Sequence, residues 1–308
     1  MKDDKLHSMV MLNLKEYHRP QGLTEAVELL KRKEPRTVVL AGGTWLVGEA
    51  PRDVEAVVDI AHLGLNRIVV EGNLLRIGAA VTHQALVESE LLGLNARSAL
   101  RIIGETAQAM SGLNIRNRAT IAGAIVTADA ASPLVTALLA CDAEVVVAGA
   151  RDRSKDAQEP DDFWKVIPLA GFLAYRRQVL AEGVLITEVR MPIPTPDTRS
   201  AYRRVARTPK DYPIVCAAAS FAMKDGIAGN VRIAVGGVAP TPIRLSRLEF
   251  GLEKKHVSDW LESELDAQMQ MLNPPGDWLG SAAYRKEMAH VLVRRAVLSI
   301  ADDARGPT

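Results

Sequence analysis

The amino-acid sequence predicts a two-domain chain, an α/β part followed by a smaller α+β part. Three observations lead there. The length, 308 residues, suits roughly two domains of ~150 residues each. The first part has a βαβ-like texture, whereas beyond it strands come first and helices last. Between the two lies Pro192–Pro196, with proline at 192, 194 and 196, the best linker candidate in the chain.

Composition narrows the function classes. Hydrophobic residues are 48% and charged residues 24%, an ordinary balance for a soluble globular chain. The net charge is +1, from 38 basic and 37 acidic residues, so neither nucleic-acid binding nor an acidic disordered tail is expected. The longest nearly apolar run, Pro213–Met223, has 11 residues, well short of the ~20 of a membrane-spanning helix. Met1–Lys5 lacks an apolar signal core, which predicts a cytoplasmic chain. The two cysteines, Cys141 and Cys216, lie in apolar runs and are expected as buried thiols; alone they cannot form a four-cysteine cluster or zinc site. The six histidines, at 7, 18, 62, 83, 256 and 290, show no metal-ligand spacing, and no Ser-His-Asp arrangement emerges. Aromatic residues are only 4%, so the core is mainly Leu, Val, Ile and Ala.

In chain order, Met1–Met11 reads as a loose leader. Thr24 is a candidate cap for a helix with apolar Ala26, Val27, Leu29 and Leu30. Thr37–Ala41 reads as a buried strand entering Gly42-Gly43-Thr44, and Val54–Ile60 as a second strand. Arg67–Val70 and Leu74–Ile77 flank Glu71-Gly72-Asn73, a hairpin signal. Thr82 caps a short helix in this reading. Ala96–Met110 forms a longer helix with Leu100, Ile103, Ala107 and Met110 on one face, ended by Gly112. Leu134–Ala140 reads as a helix and Ala143–Val147 as a strand. The charged stretch 150–163 reads as an exposed loop, and Ile167–Phe172 returns to the core. Val184–Val189, Ala201–Val205, Ile214–Met223 and Asn230–Val235 read as strands, and Ala282–Ile300 as a closing helix.

Two stretches carry the chemistry. Leu40-Ala41-Gly42-Gly43-Thr44 and residues 115–145, small-residue-rich from Ile115 to Pro133 and running on into Leu138–Val145, carry more small residues than a core requires. Such backbones let something large come close. The expectation is that the two turns meet on one ligand. No G-x-G-x-x-G follows a strand and no G-x-x-x-x-G-K occurs, so the ordinary nucleotide folds are disfavoured.

These residues resemble one known family, the flavin-binding subunits of the molybdenum hydroxylases, which include those of xanthine dehydrogenase and aerobic carbon monoxide dehydrogenase. Ala41-Gly42-Gly43-Thr44-Trp45-Leu46 is similar to its first flavin motif, A-G-G-T-x-L. Ile115-Arg116-Asn117-Arg118-Ala119-Thr120-Ile121-Ala122-Gly123-Ala124-Ile125 is similar to its second, I-R-N-x-x-T-I-G-G-N-I. Tyr17–Pro20, Phe172–Leu180, Arg204–Val215, Gly236–Arg244 and the closing segment from Tyr284 resemble further family signatures in order, covering about Leu14 to Ile300.

The resemblance implies a PCMH-type FAD-binding domain at 12–195, made of α/β subdomains at about 12–67 and 68–195, and an α+β C-terminal domain at 196–308. It implies FAD held near Leu40, Ala41, Gly42, Gly43, Thr44, Trp45 and Leu46 from the first turn. From the second it implies Asn117, Thr120, Ile121, Ala122, Gly123, Ala124, Ile125, Asp129 and Ser132, with Asp211 and Tyr212 approaching from the last domain. Tyr175 is a candidate neighbour of the flavin ring. No catalytic acid, base or nucleophile is expected in this chain, because the isoalloxazine supplies the redox chemistry. The implied partners are a large subunit with the molybdenum cofactor and a small subunit with two 2Fe-2S clusters, in a dimer of heterotrimers. Electrons would pass from those clusters through FAD to an external acceptor.

Ala124, Pro133 and Thr136 depart from the family's Asn (or Asp), Asp and Pro. The polar groups lost at Ala124 and Pro133, with the third departure at Thr136, motivate an alternative, a structural subunit of the same complex with weakened or lost FAD binding.

Overall fold

The computed structural model describes residues 13–49, 51–149, 164–209 and 211–303. The expected leader, the loop at 150–163 and Lys210 lie outside the described residues.

Strand β1 (Glu16–His18), helix α1 (Leu23–Leu30), strand β2 (Thr37–Leu40), the single-turn helix α2 (Leu46–Glu49) and strand β3 (Ala56–Asp59) make the first layer. Its three strands are parallel in the order β1-β3-β2. The central β3 is fully buried. The edge strand β2 is only half-buried, not buried as expected, because one side opens onto a cavity. Thr24 does not cap α1. Gly22 holds the cap position, and the Glu25 carboxylate accepts the Gln21 N–H at 2.8 Å, a favourable place for negative charge.

The second layer begins with the hairpin of β4 (Ile68–Glu71) and β5 (Leu74–Gly78), turned by Gly72 at φ +58. Helix α3 (His83–Glu88) follows, and the Thr82 hydroxyl accepts from the Ala85 N–H at 3.2 Å, as a cap should. Helix α4 (Arg101–Met110) starts later than its apolar period suggested, because Ser98 turns the chain first, its hydroxyl accepting from the Leu100 N–H at 3.0 Å. Gly112 does not end α4; Ser111 does, and Gly112 opens α5 (Leu113–Arg116). The expected second turn is partly helical, since Thr120 caps α6 (Ile121–Thr127). Helix α7 (Pro133–Ala140) is buried along its whole length. Strands β6 (Glu144–Ala148) and β7 (Trp164–Pro168), helices α8 (Leu169–Ala174) and α9 (Arg176–Ala181), and strand β8 (Leu185–Pro192) complete the layer. Its five-stranded sheet, β4-β5-β8-β6-β7, is antiparallel throughout. The βαβ-like texture therefore describes only the small first sheet.

The last part holds β9 (Thr198–Val205), β10 (Val215–Lys224), β11 (Ile227–Gly236) and β12 (Ile243–Arg244), then α10 (Ser246–Leu252), α11 (Val257–Gln270) and α12 (Ala282–Asp303). The sheet order is β12-β11-β10-β9, all antiparallel. Strand β10 is buried on both faces, which accounts for its small side chains. Val215, Ala217, Ala219 and Phe221 face the core under the last three helices. Cys216 and Ala218 join the core around α7. Asp142, just past α7, ties the two parts together, accepting from Arg232 at 2.9 Å and Arg244 at 2.7 Å.

The two small-residue turns come together by backbone contact. A Cβ added to Gly42 would sit 1.7 Å from the Arg118 carbonyl oxygen. Gly42→Ala is therefore expected to cost about 1–3 kcal/mol in urea unfolding, since backbone cannot step aside as a flexible side chain can. Gly48→Ala, where nothing lies within 4 Å of the new methyl, is the control and should be neutral or stabilise by up to about 1 kcal/mol.

Candidate functional site

Between the first and second layers lies a cavity of about 880 Å³, within the usual range of cofactor clefts, ~300–1,000 Å³. One wall is β2 with the turn Ala41–Leu46. A second is formed by Ala119, Thr120, Ala122, Gly123, Ala124 and Asp129 around α6. A third runs along α9 and into β8, from Arg177 to Ile186. Both small-residue turns thus face one space.

Their chemistry differs. Thr120 caps α6 by accepting from the Gly123 N–H at 3.2 Å, and its carbonyl takes the Ala124 N–H at 3.0 Å. The Ile121 and Ala122 N–H groups donate to Val81 and Ala79 at 2.9 and 3.2 Å. The first-turn donors of α6 are therefore spent inside the protein, and Gly123 contributes clearance rather than an amide. The first turn is the reverse. Among the described residues, the N–H groups of Gly42, Gly43, Thr44 and Trp45 have no hydrogen-bond partner. Gly43 adopts φ +74, a left-handed conformation of the sort used in anion-binding turns. Arg32, Lys33, Arg36 and Arg177 line the same cavity against a single acidic residue, Asp129. Arg32 is paired with Glu16 at 2.8 Å and Arg36 with Asp53. Burial raises the Asp129 carboxyl above its ordinary value, with the Arg176 charge opposing. A pyrophosphate-bearing cofactor fits this donor set: unpaired amides at one turn and excess positive charge around it.

The remaining candidates fall in several places. Leu40 ends β2 and packs toward Val54 and Val57, outside the lining. Ile121 and Ile125 are completely buried on the core side of α6. Asn117, the last residue around α5, is exposed and also outside the lining. Ser132 is buried and caps α7, its hydroxyl 3.5 Å from the Val135 N–H. Asp211 pairs with Arg207 at 3.3 Å, and neither Asp211 nor Tyr212 lines the cavity. Tyr175 is exposed, between α8 and α9. Arg116 satisfies turn carbonyls, donating to Ser111 at 2.7 Å and Gln108 at 3.3 Å. Pro133 sits at the first position of α7, where no intrahelical N–H is needed, so its missing donor costs the helix nothing.

Sequence reasoning missed His83 and Ser111. Both line the cavity, and both ring nitrogens of His83 and the Ser111 hydroxyl are buried without a partner. A lone histidine at a helix start and a serine at a helix end carry no pattern that singles them out. Burial pushes the His83 imidazole down to about 4, with the nearby Thr120 backbone opposing and the Arg116 charge adding to the fall. An unfolded His83 titrates near 6.5, so the unfolded chain binds the extra proton first. Stability present above that pH is lost as pH falls from about 6.5 towards about 4. Urea unfolding across this range should show a loss of up to about 3 kcal/mol that His83→Leu removes.

Comparisons with known proteins identify the family. Residues 11–194 match the family model described as the FAD binding domain in molybdopterin dehydrogenase, and residues 200–300 match the CO dehydrogenase flavoprotein C-terminal domain. The glyceraldehyde dehydrogenase medium chain of Sulfolobus acidocaldarius is 27% identical over 92% of this chain and 98% of its own length. The carbon monoxide dehydrogenase medium chain of Hydrogenophaga pseudoflava is 28% identical over 92% of this chain and 95% of its own. A solved structure of carbon monoxide dehydrogenase from that organism, lacking the Mo-pyranopterin moiety of the cofactor, superimposes with a TM-score of 0.82 at 26% identity. The match covers 96% of this chain and 99% of that one. The chain belongs to the FAD-binding flavoprotein family of the molybdopterin dehydrogenases.

Proposed function

We propose that this chain is the flavin subunit of a molybdenum hydroxylase, an oxidoreductase component that passes electrons from the 2Fe-2S clusters of a small partner subunit through FAD to an external acceptor. Substrate hydroxylation belongs to a large partner subunit with the molybdenum cofactor. The observation that carries this reading is the turn Gly42–Trp45, which lines the cavity between the first two layers and whose amides are unpaired. The relatives are named as medium chains, which fits a subunit of a larger assembly. A dimer of heterotrimers in the cytoplasm is the assembly we favour. Among the described residues no helix is long and apolar enough to cross a membrane. The FAD-binding domain is taken as 12–195 and the C-terminal domain as 196–308.

When bound, FAD supplies the redox chemistry. The chain's own residues do the holding. The Gly42, Gly43 and Thr44 amides donate to the pyrophosphate, and the Thr44 and Thr120 hydroxyls are available as further donors. Ala122, Gly123 and Ala124 shape the facing wall without obstructing it. Lys33 and Arg177 bias the cavity toward an anion. Val39, Ile60, Leu180 and Leu185 line it with apolar surface and exclude water.

Purified chain mixed with FAD should retain it through gel filtration, with absorbance bands near ~370 and ~450 nm. A colourless chain that still assembles with the partner subunits would instead establish the structural-subunit alternative. Ala124 lines the cavity where the family carries a polar side chain. Ala124→Asn should tighten FAD binding by about 2- to 10-fold in a fluorescence titration, the value of one net hydrogen bond.

A further inference from the structure

The His83 side chain is buried beside the Thr120 backbone without a hydrogen bond of ordinary geometry. Its relative exposure is 2%, and neither ring nitrogen has a hydrogen-bond partner. Its backbone is well anchored, since its N–H donates to Ala119 at 2.8 Å and Thr82 caps the helix it begins. The ring is thus held in place against the second small-residue turn, and it lines the cavity. The Ser111 hydroxyl, also buried and unpartnered, lines the same cavity. Among the described residues, the other buried side-chain atoms without partners, on Glu188, Tyr202, Arg232 and Arg285, belong to side chains that do not line it. Buried polar groups are nearly always satisfied, so two orphans on one cavity wall point to a partner that binds there.

We propose that His83 is a cofactor-positioning residue: its imidazole hydrogen-bonds a sugar hydroxyl of the bound flavin nucleotide, with the Ser111 hydroxyl as a second contact on the same wall. The assignment rests on the FAD reading above and extends it to residues outside both flavin motifs. The group recognised follows from the ring's chemistry. Burial keeps the imidazole neutral at physiological pH, so it offers one donor and one acceptor. A hydroxyl presents the same pair and satisfies either tautomer, whereas a phosphate oxygen needs a donor only. Unpaired amides for the phosphates are already provided by Gly42–Trp45.

The test uses the full chain stripped of flavin, with FAD as the probe. His83→Leu removes both nitrogens at similar bulk. His83→Gln keeps a donor and an acceptor. We expect the FAD dissociation constant to rise about tenfold in His83→Leu and to stay within about threefold of wild type in His83→Gln. The flavin-free His83→Leu chain should unfold at the same or a higher urea concentration than wild type, because an unsatisfied polar group has gone. A purely structural histidine would give the opposite. A second readout needs no folded leucine variant. In the wild-type chain labelled with nitrogen-15 at histidine, the ring signals absent from His83→Gln should move on saturation with FAD. FAD binding of His83→Leu as tight as wild type, or ring signals unmoved by FAD, would overturn the assignment while leaving FAD binding intact. Failure of the wild-type chain to bind FAD at all would instead overturn the flavin reading, and this assignment with it.

Discussion

The site depends on one steric fact, the contact between Gly42 and the backbone of residue 118. The Arg118 carbonyl occupies the place where any other residue at position 42 would carry its side chain. That contact brings the first layer against the second, and the residues that follow line the space between them with unpaired amides. Gly43, at positive φ, then turns the chain into α2 so that Val47 can donate back to the Gly43 carbonyl at 2.9 Å. Two adjacent glycines are needed for different reasons, one for close approach and one for backbone conformation.

The C-terminal part is less separate than its linker suggests. Helix α7 is buried on every side because β10 and β11 pack on it as well as its own layer. Gly236 lets β11 come close, since a Cβ there would lie 2.9 Å from both Cys216 Sγ and Thr136 Oγ1. The Thr136 hydroxyl donates to the Ser132 carbonyl at 2.7 Å and meets the Cys216 thiol at 3.4 Å. Thr136 in place of proline is therefore a residue of this interface. The two cysteines serve the same core. Burial raises both thiols well above the ordinary range, Cys216 to about 11 and Cys141 to about 12. Such thiols are unreactive side chains of packing.

Much of this was legible because periodicity survives into structure wherever one face is buried and the other is not. The β4–β5 hairpin and the Thr82 cap are where the residues put them. The closing helix α12 forms where it was expected, with Ala289, Val293, Ala296 and Ile300 in the core. The errors share a cause. Thr24 and Gly112 were read from local preference and the start of α4 from its apolar period, while the real ends were settled by a Glu25 carboxylate, a second short helix and a serine turn. The second small-residue stretch was expected to hold the cofactor, yet Val81, Ala79 and Thr120 take the first-turn donors of its helix. Those acceptors are distant in sequence or invisible in composition.

By itself the sequence determined the family, many of the elements and the two stretches that meet at one cavity. It could do so because small residues at fixed spacing are a local record of close backbone approach. Tertiary structure alone decided which of those stretches retains free donors, which candidates turn into the core and which unremarked side chains reach the cavity. Hydrogen-bond satisfaction is a property of neighbours in space, and His83 acquires its meaning only once the layers have closed around it.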